Sequence, residues 1–152
     1  MDLRKHLSPE AILILDRAPD KWALMKEMLT VMLSGVERRL GLKLVYNDIW
    51  RVLVEREELQ STGMGSGFAL PHARIDGLDG PELCLAVLRE PLAFDSIDNK
   101  PVRMVCLVLT PRRQPTLALK ISSKLVGLAS NAKVVSELLA APDAAAISTL
   151  LH

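Results

Sequence analysis

Two segments of this chain, residues 83–88 and 102–109, are apolar at almost every position rather than at every second one. A strand with one wet face alternates, whereas a strand that is apolar throughout is covered on both faces. Two such strands need helices above and below them. Helix-like patterns stand before, after and beside these segments, so the sequence predicts a layered α/β domain.

The remaining segments fit that frame. Residues 11–15 read as a short strand. Asp20, after Pro19, is placed to cap a helix. Trp22, Met25, Leu29, Met32, Val36 and Leu40 then recur at helical spacing, and Gly41 is a natural stop. Asn47 and Asp48 are placed to cap a second helix, with Ile49, Val52 and Leu53 on its buried face. That helix runs out around residues 56–58, which puts Arg56 at its C-terminal end. Residues 68–70 read as a strand leading into Pro71, residues 94–101 as a turn and 111–115 as a loop. Three helices, 117–129, 132–139 and 144–151, end the chain, with Asp143 capping the last.

Composition narrows the function classes. The 152 residues suit one domain, 1–152, with a sizeable core. Apolar residues make up 49% and aromatic residues only 3%, so the core is expected to be aliphatic. The formal charge of +1 is well mixed, with no basic stripe to meet a nucleic acid. Residues 104–109, the longest apolar run near the middle, are far too short for membrane insertion. The first residues lack the apolar stretch of a signal peptide, so a cytoplasmic protein is expected. Cys84 and Cys106 stand alone in apolar runs and read as buried free thiols.

Chemistry concentrates in residues 56–74. Of three histidines, His6 and His152 lie near the termini, and only His72 stands inside the chain. Pro71 restricts the backbone just before it. Gly63, Gly65 and Gly67 permit unusual dihedrals and let amide groups approach an anion. Arg56 offers a permanently charged planar fork that matches phosphate oxygens. Imidazole is a good transient phosphoryl acceptor, because one ring nitrogen attacks while a hydrogen bond to the other fixes the tautomer. Thr62 and Arg74 are further phosphate-binding candidates, through a hydroxyl and through positive potential at the rim. Plainer readings stand beside these. A lone histidine also suits a structural role, the glycines suit a simple turn, and Arg56 suits a cap on its own helix. Glu55, Glu57 and Glu58 read as a solvated helix end. A single histidine without partners at ligand spacing is a poor metal site.

Arg56-Glu57, Thr62-Gly63-Met64-Gly65 and Ala69-Leu70-Pro71-His72-Ala73 together resemble the active-site signature of phosphotransferase-system enzyme IIA domains, of the mannitol/fructose/nitrogen-regulatory type. The step of sixteen residues from Arg56 to His72 also fits. The resemblance covers almost the whole chain. It implies a mixed β-sheet flanked by helices on both faces. It also implies that His72 is phosphorylated on Nε2 with Nδ1 held by a backbone carbonyl, and that Arg56 sits beside the phosphoryl group. The implied partners are an HPr-type phosphocarrier as donor and an enzyme IIB-type domain or a regulatory target as recipient, with no cofactor.

One departure stands out. Many members carry a second histidine at the start of the helix after the last long strand, where this chain has Ala118. No histidine lies between 73 and 151. Losing one charge-stabilising donor costs on the order of a hundredfold in rate. The expected role is therefore a regulatory or slow phosphocarrier rather than a flux-bearing sugar carrier. A protein-binding module switched by phosphorylation and a degenerate, non-transferring domain are the other readings.

Overall fold

The computed structural model describes residues 1–152. In chain order its elements are β1 (Ile12–Leu15), α1 (Lys21–Leu40), α2 (Tyr46–Leu59), β2 (Gly63–Gly65), β3 (Phe68–Ala69), β4 (His72–Ile75), β5 (Glu82–Leu92), β6 (Val102–Pro111), α3 (Pro115–Ala129), α4 (Ala132–Ala140) and α5 (Ala144–Thr149). Two short 3-10 turns precede β1.

The six strands form one mixed sheet. β5 and β6 are its antiparallel centre, with Leu85 opposite Cys106. β1 runs parallel to the outer edge of β5. The other edge of β6 carries two strands in succession, both parallel to it: Phe68 lies opposite Met104, and His72 opposite Val108. β2 folds back antiparallel on β3. As expected, residues 83–88 and 104–109 are buried on both faces. Leu83, Leu85, Met104 and Cys106 face Leu125 of α3 and Leu138 of α4 across an apolar void of about 20 Å³. The alternating residues face the opposite way, where α1 packs on β5 and α2 on β4.

Local chemistry accounts for the element ends. The Asp20 carboxylate accepts the Ala23 amide at 2.8 Å, and Gly41 ends α1 in the left-handed region at φ 68°. Met25, Met28, Leu29, Met32 and Val36 form the buried stripe of α1. Asp143 caps α5 through the Ala146 amide at 2.8 Å. α2 departs from expectation. It begins at Tyr46 with no side-chain cap, so Asn47 and Asp48 lie inside its first turn. Tyr46 stacks on Trp50 one turn along, and Trp50 meets Trp22 of α1 edge-on at 6.2 Å. That aromatic packing substitutes for the cap in fixing the helix start.

β2 and β4 were not expected. Glycines and a proline give these segments little strand propensity of their own, and pairing with β3 and β6 imposes it. Cys84 and Cys106 are free and buried, and they point to opposite faces because Leu85 shares its face with Cys106. Burial, then the Glu27 carboxylate, pushes the Cys84 thiol up to about 12. Burial pushes Cys106 higher still.

The tip of the β2–β3 hairpin is Gly65-Ser66-Gly67, all three at positive φ. Gly63, at the other end of β2, lies flat against Ser96. A methyl group there would fall inside the Ser96 hydroxyl and within 2.8 Å of the Ser96 Cα. Gly67, at φ 78°, has open space around it. Gly63→Ala is therefore expected to destabilise the protein by roughly 2–3 kcal/mol through overpacking against backbone. Gly67→Ala should cost only about 1 kcal/mol of backbone strain. Urea denaturation of both variants checks the order; equal losses would contradict it.

Candidate functional site

Ile49, Leu53 and Glu57 are spaced four apart along α2 and form one stripe, and all three are buried. Glu57 is only 3% exposed. This corrects the reading of Glu55, Glu57 and Glu58 as a solvated helix end: Glu55 and Glu58 are exposed, but Glu57 points inward. Its carboxylate accepts the Thr62 amide at 3.0 and 3.1 Å and the Thr62 hydroxyl at 2.5 Å. Lys21, at the start of α1, donates to Glu57 Oε1 at 3.1 Å and lies 3.3 Å from Asp95. The buried charge is thus paired and hydrogen-bonded, the condition for placing a carboxylate inside a protein.

The next links reach the histidine. The Thr62 carbonyl accepts the Leu70 amide at 3.0 Å. The Leu70 carbonyl lies 2.8 Å from His72 Nδ1. A carbonyl can only accept, so in the neutral ring the proton sits on Nδ1 and Nε2 keeps its lone pair. His72 is half-buried at the head of β4. Its register opposite Val108 turns it to the same face as Met104 and Cys106, toward α3.

His72 lines a cleft of about 320 Å³. Arg56 and Gln60, at the end of α2, form one wall. Residues 61–64 form the floor, and Ser122 of α3 and Ile97 of the 94–101 loop close the other sides. That loop is tied to the hairpin by the Ile97 amide on the Gly63 carbonyl at 3.1 Å and by Ser61 Oγ on the Phe94 carbonyl at 2.5 Å. Arg56 Nη1 donates to the Gln60 carbonyl at 2.7 Å, so it does cap its own helix. The same bond holds the fork at the cleft wall with its other N–H groups uncommitted. No carboxylate lines the cleft, and Arg56 is its one cation. Such a lining suits an anion.

The structure brings together some of the candidates and separates others. His72, Arg56, Thr62 and Gly63 line the cleft. Both donors of Thr62 are committed to Glu57, so its hydroxyl has no proton to offer the cleft. The Gly63 amide is held by Ser61 Oγ at 3.0 Å. Gly65 and Gly67 make the hairpin turn and lie outside the lining, as does Arg74, exposed on the same face of β4 as His72. Ala118 is half-buried on α3, and it is Ser122, one turn further on that helix, that reaches the cleft. Ser61, Gln60, Ile97 and Ser122 carried no local signature. Glu57 did carry one, in its spacing from Ile49 and Leu53. No group of three His, Cys, Asp or Glu side chains is placed to hold a metal ion, and no helix is long and apolar enough to cross a membrane.

Comparison with known proteins finds relatives in both sequence and fold. Residues 5–152 match the family described as "Phosphoenolpyruvate-dependent sugar phosphotransferase system, EIIA 2". A nitrogen regulatory protein of Bradyrhizobium diazoefficiens is 29% identical over 99% of this chain and 95% of its own length. The nitrogen regulatory protein of Pseudomonas aeruginosa is 34% identical, over 65% of this chain and 64% of its own length, just under two thirds of each. The crystal structure of nitrogen regulatory protein IIA-Ntr from Neisseria meningitidis superposes with a TM-score of 0.88, at 27% identity and 99% coverage of both chains. The IIA mannitol structure from Escherichia coli shares the fold at a TM-score of 0.77 and 16% identity, covering 95% of this chain and 98% of its own.

The tip of the hairpin beside the site is bound by a carboxylate. Asp98 Oδ2 accepts the Ser66 amide at 3.1 Å and Oδ1 accepts the Lys100 amide at 3.0 Å. Those amides, Lys100 first, hold its carboxyl below the usual carboxylate range. A depressed carboxylate contributes stability above its unfolded pKa and loses it as pH falls through the folded value. The hairpin tip should therefore loosen as pH drops below about 4, and Asp98→Asn should remove that dependence. Exchange of the Ser66 amide, followed by NMR against pH, checks this; a profile unchanged by Asp98→Asn would contradict it.

Proposed function

Because the chain belongs to the EIIA type-2 family of the phosphoenolpyruvate-dependent sugar phosphotransferase system, we propose that it carries a phosphoryl group on Nε2 of His72. The observation that supports this most directly is the Nδ1 contact with the Leu70 carbonyl, which leaves the Nε2 lone pair free on a ring that lines the same cleft as Arg56. In the proposed step, Nε2 attacks the phosphorus of a phosphohistidine on an HPr-type donor. The N–P bond of the donor breaks as the new one forms, and the donor imidazole leaves with its electron pair. Negative charge on the phosphoryl oxygens faces the Arg56 fork, which is already oriented by Gln60. Ser122 supplies a neutral hydroxyl donor from the α3 side. The group then passes to a cysteine or histidine of an enzyme IIB-type domain or stays as a signal.

The slow, regulatory form of this function fits the site best. A histidine at 118 would face the cleft from the same stripe as Ser122, and alanine there leaves only a hydroxyl on that wall. The relatives that cover the chain most fully at 27–29% identity are nitrogen regulatory proteins. A phosphoryl group adds nearly two negative charges to a cleft that has one cation and no acid. That inverts the local charge and is enough to change which partner the face accepts. Met64 and Ile97, 44% and 73% exposed, flank the cleft as the apolar part of such a face.

Incubation with phosphoenolpyruvate, enzyme I and HPr, read by intact mass, is expected to give an acid-labile phosphoryl adduct that His72→Ala abolishes. Arg56→Ala should slow its formation by about a hundredfold. Ala118→His should accelerate transfer by roughly tenfold or more if the missing donor limits the rate. An uncharged wild-type protein, beside a control domain that charges normally, would leave a purely binding or degenerate domain. An unchanged rate in Ala118→His would refute the slow-carrier reading alone.

A further inference from the structure

We propose that Glu57 is a positioning residue for phosphoryl transfer, acting on the His72 ring through Thr62 and Leu70; this rests on the phosphocarrier reading above. Three successive links join the carboxylate to the imidazole: Glu57 to the Thr62 amide at 3.0 Å, the Thr62 carbonyl to the Leu70 amide at 3.0 Å, and the Leu70 carbonyl to Nδ1 at 2.8 Å. One carboxylate holds Thr62 at both its amide and its hydroxyl, which fixes the orientation of the residue whose carbonyl carries the next link. The Leu70 carbonyl can hold the ring only while the Leu70 amide is held by Thr62, and Thr62 is oriented by Glu57.

A plain structural ion pair accounts for less of what is observed. Lys21 occupies the first turn of α1, where a cation opposes the helix dipole. It is nevertheless 11% exposed at the side chain, stacked near the rings of Trp22 and Phe94 and directed at Glu57. Glu57 in turn makes no bond to its own helix end, where Arg56 serves the Gln60 carbonyl instead. Its carboxylate accepts from Lys21 and from Thr62, the residue that carries the next link.

Glu57→Gln keeps the shape and removes the charge. Its single amide oxygen has two lone pairs, so it cannot accept from both Thr62 donors and Lys21 together as the carboxylate does. The decisive measurement is the ¹⁵N spectrum of the His72 ring in the whole protein, taken where the ring is neutral. Wild type is expected to show one dominant Nδ1–H tautomer, and Glu57→Gln a mixture with the Nε2–H form. Phosphorylation by phospho-HPr should slow on the order of tenfold, the lower end of what removing a histidine's orienting partner costs at metal centres, with the KM for the donor unchanged. Glu57→Asp, which retains the charge, should recover part of both.

A folded Glu57→Gln with a wild-type tautomer and rate would overturn the proposal. If Glu57→Gln does not fold, the double replacement of Glu57→Met with Lys21→Met removes the pair without stranding a buried charge, and an unchanged tautomer there would overturn the proposal equally. The tautomer readout needs no phosphoryl transfer. A wild-type protein that fails to charge would therefore count against the phosphocarrier reading, while the ring measurement would still decide the role of Glu57.

Discussion

Everything at the cleft depends on the free edge of β6. That one strand pairs with β3 and then, four residues further along, with β4. Between them Leu70 and Pro71 step out of the ladder, although the Pro71 carbonyl still accepts the Val108 amide at 3.0 Å. Proline has no N–H to leave unpaired at such a break. The Leu70 amide and carbonyl are thereby released from the sheet, one to Thr62 and the other to His72. Because side chains alternate along a strand, the pairing of His72 with Val108 also decides its face. A register slip of one residue would carry the ring to the α2 side. What prevents the slip is the burial of β6 on both faces.

Arg56 and Glu57 show how neighbouring residues on a helix can serve opposite ends of a site. Successive residues on an α-helix point about 100° apart, so one turn of α2 sends a carboxylate into the core and a guanidinium to the cleft. The carboxylate is neutralised by Lys21. The guanidinium is held by a neutral carbonyl, which orients it without cancelling its charge. Had Arg56 paired with Glu57, the cleft would have lost its only cation.

The frame of the fold was legible because burial writes itself into composition: residues 83–88 and 102–109 could only be strands covered on both sides, and Asp20, Gly41 and Asp143 stood where caps belong. β2 and β4 were not legible, since Gly63, Gly65 and Pro71 weaken any local strand signal, and His72 of β4 finds its partner only at Val108. At the site, His72 and Arg56 were readable from their own chemistry and spacing. Ser122 and Ile97 were not, because they reach the cleft only through tertiary packing of α3 and the 94–101 loop. Thr62 was readable as a hydroxyl near the histidine, but not as one already committed to Glu57. Glu57 itself was misjudged by its charge, although its place four residues after Leu53 continued the buried stripe.

The balance of forces in the cleft bears on what a carrier of this kind can do. A phosphoryl group that is to be passed on, or removed as a signal, must be stabilised in transit more than at rest. One oriented cation and a neutral hydroxyl lower the cost of the charge without enclosing it, and the cleft stays open to a partner on the Met64 and Ile97 side. A second cationic ring on α3 would stabilise the transferring group more strongly and speed exchange in both directions. Without it, the proposed carrier would interconvert its phosphorylated and free forms more slowly, and each would persist long enough to present its own surface. Those two surfaces differ by nearly two charges over a few side chains. On the proposed reading, the alanine at 118 that weakens this domain as a conduit sharpens it as a switch.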